Sequence, residues 1–133
     1  MITLILLMKR KRGMSKEQFR HHYETSHVAL AKKYLGHLFF DYRRHYVKTT
    51  SGLADDGVTM AKKMDGAYDA ITNIVFRDKD ALDEFMRICS LPDVNSILSA
   101  DEERFLDRPA MLVSICEEVK TWTATDLKQA QPL

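Results

Sequence analysis

The chain has 133 residues, 45% hydrophobic and 29% charged, which is the balance of one globular domain and excludes a disordered chain. Its 20 Lys and Arg face 19 Asp and Glu, so the net charge is +1 and the basic excess of a nucleic-acid binder is missing. A chain of this size buries roughly two thirds of its unfolded surface, enough for a real core.

The opening MITLILLM lacks a basic leader and meets Lys9, Arg10, Lys11 and Arg12 at once. The run is too short for a signal peptide or a membrane span, and it reads as a buried strand over residues 2–8. No membrane role is expected, and a cytoplasmic location is. Cys89 and Cys116 stand far apart in no CxxC pair, so they read as reduced thiols.

Gly13 closes the basic turn. Ser15 then suits an N-cap, with Gln18 as its capping-box partner and Met14 and Phe19 at the staple positions. The helical pattern runs to about Leu35 with a bend near Ser26, and Gly36 stops it. Residues 38–48 form a second strand, aromatic-rich and free of Gly and Pro. Residues 50–67 hold Gly52, Gly57 and Gly66 and read as a long functional or mobile loop, with one helical turn near Val58–Lys63. A third strand covers 68–76. A helix runs from Asp78 or Asp80 to about Cys89, Pro92 interrupts it, and a further helical stretch covers about 93–106. The last strand lies between Pro109 and Val119. Residues 1–120 thus form one domain, and 121–133 a polar tail apart from Trp122 and Leu127.

The order β-α-β-β-α-β predicts an α+β, ferredoxin-like fold with an antiparallel sheet and helices on one face. The first strand is apolar on both sides, Leu4, Leu6 and Met8 alternating with Ile5 and Leu7. An uncovered apolar sheet is an association site, so the fold is expected to pair sheet to sheet as a homodimeric α+β barrel.

Candidate chemistry centres on the first helix. Phe19, Tyr23, His27, Leu30, Ala31 and Tyr34 fall on one inward stripe. A histidine can move a proton both ways, and His27 has tyrosines a turn away. The same pattern more often marks a core histidine satisfied by a backbone carbonyl. His21 and His22 point about 100° apart on a helix and cannot share an ion. His22 and His27 also diverge. His37 reads as a loop residue. No HExxH or Cys–His spacing is present, so no metal site is expected. On the second strand Leu38, Phe40, Tyr42, Arg44 and Tyr46 share one face, and Phe39, Asp41, Arg43, His45 and Val47 the other. Tyr42 and Tyr46 suit a pocket for an aromatic ligand or a sheet-on-sheet core. Asp69 would pair with His27 if the fold brings them together; otherwise it is a turn residue. Asp101 could cap or pair, while the charge run from Asp101 to Arg104 reads mainly as a solvated helix face. No phosphate loop or nucleophile elbow is present, so no nucleotide cofactor is expected.

The pattern Met14-Ser15-x-x-x-Phe19-x-x-x-Tyr23-x-x-x-His27-Val28-x-Leu30-Ala31 resembles the EthD family. So do Tyr68-Asp69-Ala70 leading into Val75-Phe76, Phe85 on the next helix, and Asp101-Glu102-x-x-Phe105 before the last strand. The likeness covers about residues 2–120. It implies a dimeric α+β barrel. It also implies kinship with cofactor-free acid–base enzymes that tailor small apolar compounds, among them methylmuconolactone isomerases and fungal polyketide dehydratases and decarboxylases. Other relatives are accessory proteins beside oxygenases. By position His27 matches the family histidine, Asp69 the strand aspartate and Tyr42 an aromatic on the second strand. Relatives place a histidine where Tyr46 stands, one residue after His45, and often an acidic residue where Asn73 stands.

The leading expectation is a cofactor-free lyase or isomerase of an apolar, aromatic or polyketide-like compound. His27, Asp69 and Tyr42 would be catalytic, and Tyr23, Tyr34, Phe40, Tyr46 and Asn73 would contact the small-molecule substrate. A binding or accessory protein is the alternative. Haem ligation through His27 or His45 is a third reading, since some dimeric α+β barrels bind haem through one histidine.

Overall fold

The computed structural model describes residues 1–63 and 66–130. Strand β1 (Ile2–Met8) pairs antiparallel with β5 (Ala70–Phe76) on one side and with β6 (Leu112–Glu117) on the other. β2 (Asp41–Tyr46) pairs antiparallel with the far side of β5, giving the order β2-β5-β1-β6. This is the expected antiparallel, ferredoxin-like α+β sheet.

Cross-strand register sorts the side chains onto two faces. Leu4, Ile74 and Tyr42 stand opposite one another, as do Met8, Ala70 and Tyr46. This face meets the helices α1 (Lys16–His22), α2 (Val28–Leu35), α3 (Lys79–Ser90) and α4 (Pro92–Phe105). One core cluster packs Met8 and Ala70 against Phe19, Tyr23 and Phe105. A second packs Leu4, Ile74 and Phe76 against Leu82, with Phe39 and Phe85 at its edge. The opposite face carries Ile5 and Leu7 of β1, Ile71, Asn73 and Val75 of β5, and Arg43 and His45 of β2.

Local signals at the element ends are realised. Ser15 Oγ accepts from Gln18 N–H (3.1 Å), while Gln18 Oε1 accepts from Ser15 N–H (2.9 Å), closing the capping box. Asp78 caps α3 by accepting from Ala81 N–H at 2.9 Å, and Pro92 opens α4.

Two expectations are corrected. The second strand is shorter than 38–48, because Gly36–Leu38 take a 3₁₀ turn. That turn resets the alternation: Phe39 packs on Phe76 and Phe85, and Phe40 is exposed beside Arg77. The stretch 50–67 holds a hairpin, not a helical turn, with β3 (Ser51–Leu53) paired to β4 (Met60–Lys63). Gly57, at φ +72°, makes the turn, and Asp56 accepts from Val58 and Thr59 N–H (2.9 and 2.8 Å). Residues 64 and 65 of that stretch lie outside the described residues. The tail forms a helix, α5 (Ala124–Ala130), with Trp122 exposed ahead of it. The Leu127 side chain lies outside the described residues.

Between α1 and α2 the chain forms a single π turn, Tyr23–His27, closed by Val28 N–H donating to Tyr23 O. The widened turn carries one extra residue, so the buried stripe continues through Ala31 and Leu35. The uniform 3.6-residue period had placed Leu30 and Tyr34 there.

Candidate functional site

The π turn decides what the first helix presents. Residues five apart stack in a π turn, so His22 and His27 converge where a regular α-helix would splay them. Both meet Asp101 of α4. His27 Nδ1 lies 3.0 Å from Asp101 Oδ2, and His22 Nε2 lies 3.0 Å from Oδ1. Ser26 Oγ donates to Oδ1 at 2.7 Å. The divergence read from the sequence is therefore overturned, and so is the solvated reading of Asp101, which is 1% exposed. Burial pushes the Asp101 carboxyl up, but the Ser26, His27 and His22 contacts outweigh it and hold the group below the usual carboxylate range. An ionised carboxylate only accepts, so Nδ1 of His27 carries the proton and a neutral ring leaves Nε2 as a base. The buried Phe105 packs against both imidazoles, its centroid 4.9 Å from His22 and 5.2 Å from His27. Of the His27 side chain, 13% reaches solvent.

A second network runs from the π turn to β2. The buried Tyr23 hydroxyl bonds Thr72 Oγ1 at 2.8 Å, and Tyr42 OH donates to Tyr23 OH at 3.5 Å. Tyr23 meets the His27 ring edge-on at 5.8 Å. Arg44 grips Glu24 through Nε (2.9 Å) and Nη2 (2.6 Å), and its guanidinium lies 4.7 Å over the Tyr42 ring. Tyr46 OH also donates to Glu24. Arg44 holds the Glu24 carboxyl below its usual range, while burial raises Tyr23, Tyr42 and Tyr46. All three phenols therefore stay protonated at neutral pH, as donors.

The structure thus brings together His27, Tyr23, Tyr42 and Tyr46. It does not bring Asp69 to His27. Asp69 Oδ2 accepts from Arg10 N–H at 2.8 Å, with the Arg10 guanidinium 3.4 Å from Oδ1. Tyr34 lies under Lys33 at the far end of α2, Phe40 lies beneath Arg77, and Asn73 faces the open side of the sheet beside Arg43. His45 is exposed on that same open side.

His22, Ser26, Thr72 and the Glu24–Arg44 pair escaped the sequence reading as site residues, and Asp101 entered it only as a motif residue that could cap or pair. One signal for Asp101 was present: Val94, Leu98, Asp101 and Phe105 recur at helical spacing, so a carboxylate sits on an apolar stripe. Among the described residues no group of three or more His, Cys, Asp or Glu is arranged to hold a metal ion. No described helix is long and apolar enough to cross a membrane.

Comparison with known proteins gives a consistent frame. The EthD domain model matches residues 11–109. An EthD family protein from Bacillus halodurans superposes with a TM-score of 0.56 at 18% identity, over 90% of this chain and 99% of that one. SnoaB, a cofactor-independent oxygenase from Streptomyces nogalater, gives 0.55 at 11% identity, over 90% and 94%. A dimeric protein of ferredoxin-like fold from Bacteroides fragilis gives 0.50 at 12% identity, over 88% and 95%. At these identities the likeness is one of fold. No curated protein matches the chain.

Proposed function

The chain belongs to the EthD family, and from that premise we propose that it is a cofactor-independent lyase or isomerase of a small apolar, aromatic or polyketide-like compound, working by general acid–base catalysis. The observation that carries this reading is the His27 ring held by the buried Asp101 at 3.0 Å. A base held by a carboxylate orienter is the recurring arrangement for moving a proton at neutral pH.

In this reading His27 Nε2 takes a proton from a carbon or hydroxyl of the substrate, and Asp101 stabilises the imidazolium that forms. The same nitrogen returns the proton elsewhere on the molecule, which isomerises or dehydrates it. Tyr42, kept a phenol by burial and only loosely bonded to the Tyr23 hydroxyl at 3.5 Å, turns its proton to the oxygen on which charge develops, and the buried Tyr23 positions it. Asp101 takes the orienting role that the sequence reading offered to Asp69.

The test follows a panel of β-diketones and β-keto acids in D₂O by NMR. The protein should speed exchange or conversion of at least one compound, and His27→Gln should remove about 10²–10⁴-fold of that rate. Equal rates for wild type and His27→Gln overturn the dyad. Binding without exchange or conversion across the panel favours the ligand-binding or accessory alternative.

The homodimer belongs to the same proposal. Ile5, Leu7, Ile71 and Val75 share a sheet face that the helices leave open, and the B. fragilis neighbour is dimeric. Native mass spectrometry should give twice the 15.4 kDa chain mass, and Leu7→Lys with Ile71→Lys should return it to one chain. A wild-type monomer overturns the barrel.

A further inference from the structure

Met8, Ala70 and Tyr46 stand level at one end of the sheet. The residues just beyond them line a cavity of about 840 Å³: the 9–14 turn after β1, Val47–Thr50 after β2, and Gly66, Tyr68 and Asp69 before β5. Among the described residues that line it, six side chains are cations (Lys9, Arg10, Lys11, Arg12, Lys16 and Lys48), against two carboxylates, Asp69 and Asp107. The whole chain carries only +1, so its charge is segregated, with positive charge concentrated around this one concavity.

Among the described residues Arg10 alone of the six has an ion pair, with Asp69. The turn that carries four of them is pinned. Lys11 N–H donates to Phe105 O (2.8 Å), Asp107 N–H to Lys9 O (2.9 Å), and Arg10 N–H to Asp69 Oδ2 (2.8 Å). Like charges crowded on a fixed backbone repel one another unless an anion is present, so the arrangement is preorganised for one. A single carboxylate would balance one of these charges. A diphosphate group, with several acceptor oxygens and about three charges, matches the excess far better. The cavity also adjoins a shallower one of about 340 Å³, which shares Lys16, Val47, Lys48 and Asp69 with it and reaches Phe19 and Tyr46. From Tyr46 the Glu24–Arg44 pair leads to Tyr42 and Tyr23.

We propose that this mouth binds an organic diphosphate, the charged head among Lys9, Lys11, Arg12, Lys16 and Lys48 and the apolar body against Phe19 and Tyr46. The proposal adds a charged end to the substrate of the acid–base reading and rests on that reading only for the fate of the apolar body. Its test reads binding, so inactivity toward carbon acids leaves it standing, and its own failure leaves the His27 reading standing.

Isothermal titration of the full chain at about 0.15 M salt suppresses loose surface pairing. Inorganic pyrophosphate should bind about tenfold more tightly than inorganic phosphate, and Lys11→Glu with Arg12→Glu should weaken it by a further tenfold or more. Both positions are exposed, so the fold does not depend on them. Lys32→Glu, an exposed cation on α2, should leave binding unchanged. Geranyl diphosphate against ADP separates an apolar ester from a nucleotide, and the Phe19–Tyr46 floor favours the former. No pyrophosphate binding at millimolar concentration, or equal binding by the charge-reversed variant, overturns the site. ADP binding more tightly than geranyl diphosphate overturns the placement of the apolar body.

Discussion

Asp101 and Asp69 are both buried carboxylates, at 1% and 8% exposure, and their surroundings assign them opposite work. Asp101 faces two imidazoles and a hydroxyl at hydrogen-bond distance, partners whose protons can move, with the exposed Arg104 guanidinium farther off at 3.7 Å. Asp69 faces a backbone N–H and a guanidinium, neither of which gives up a proton in water. The first is suited to proton transfer. The second ties the basic turn to the start of β5 and keeps the mouth in shape. Burial alone does not mark a catalytic carboxylate; the titration of its partners does.

The largest expected effect breaks this comparison at its centre. Asp101→Ala leaves two imidazoles and the Ser26 hydroxyl without their acceptor and should lower stability by about 3 kcal/mol. Asp69→Ala strips one backbone donor and one long guanidinium contact and should cost about 1–2 kcal/mol. Chemical denaturation of the two variants side by side decides the matter. Equal losses would mean that both carboxylates are structural.

A pH series sharpens the contrast. The Asp101 carboxyl is held below its unfolded value, so the unfolded chain takes up the proton more readily. Its contribution is fully present above the ordinary aspartate value of about 3.9 and is lost as pH falls through the folded value. The stability gap between wild type and Asp101→Asn should therefore shrink as acid is added below about pH 4. A gap that stays constant down to about pH 2 would show that the carboxyl is not held low.

The smallest effects come from trimming one contact at each carboxylate. Ser26→Ala removes the 2.7 Å donor from Asp101 and should cost about 1 kcal/mol. Arg10→Met removes the 3.4 Å guanidinium contact at the half-exposed mouth and should cost about 0.5 kcal/mol. Reversal of that order, read from urea midpoints, would make the mouth the tighter network.

Much of the frame was legible because its signals are local. The capping box at Ser15 and Gln18 needs four consecutive residues, and the apolar run of β1 needs seven. His27 was legible as an inward residue for the same reason. Phe40 was misplaced because the alternation of β2 was read through a 3₁₀ turn that reset it. Asn73 is placed with the substrate on the family likeness, in which an acidic residue is frequent at that position, while strand alternation turns it to the open face.

The sequence by itself determined the order of the four main strands and the helices between them, the caps at Ser15 and Asp78 and the inward position of His27, because each depends on periodicity or on groups a few residues apart. Tertiary structure alone decided which carboxylate holds that histidine and where the cations gather. Asp101 lies 74 residues from His27, and the widened turn that aligns His22 with it offers little local advantage; it persists where a buried acceptor on another helix rewards it. The basic turn read as a mere connector for the same reason: its neighbours at Lys48 and Asp69 arrive from strands that only the folded sheet sets level.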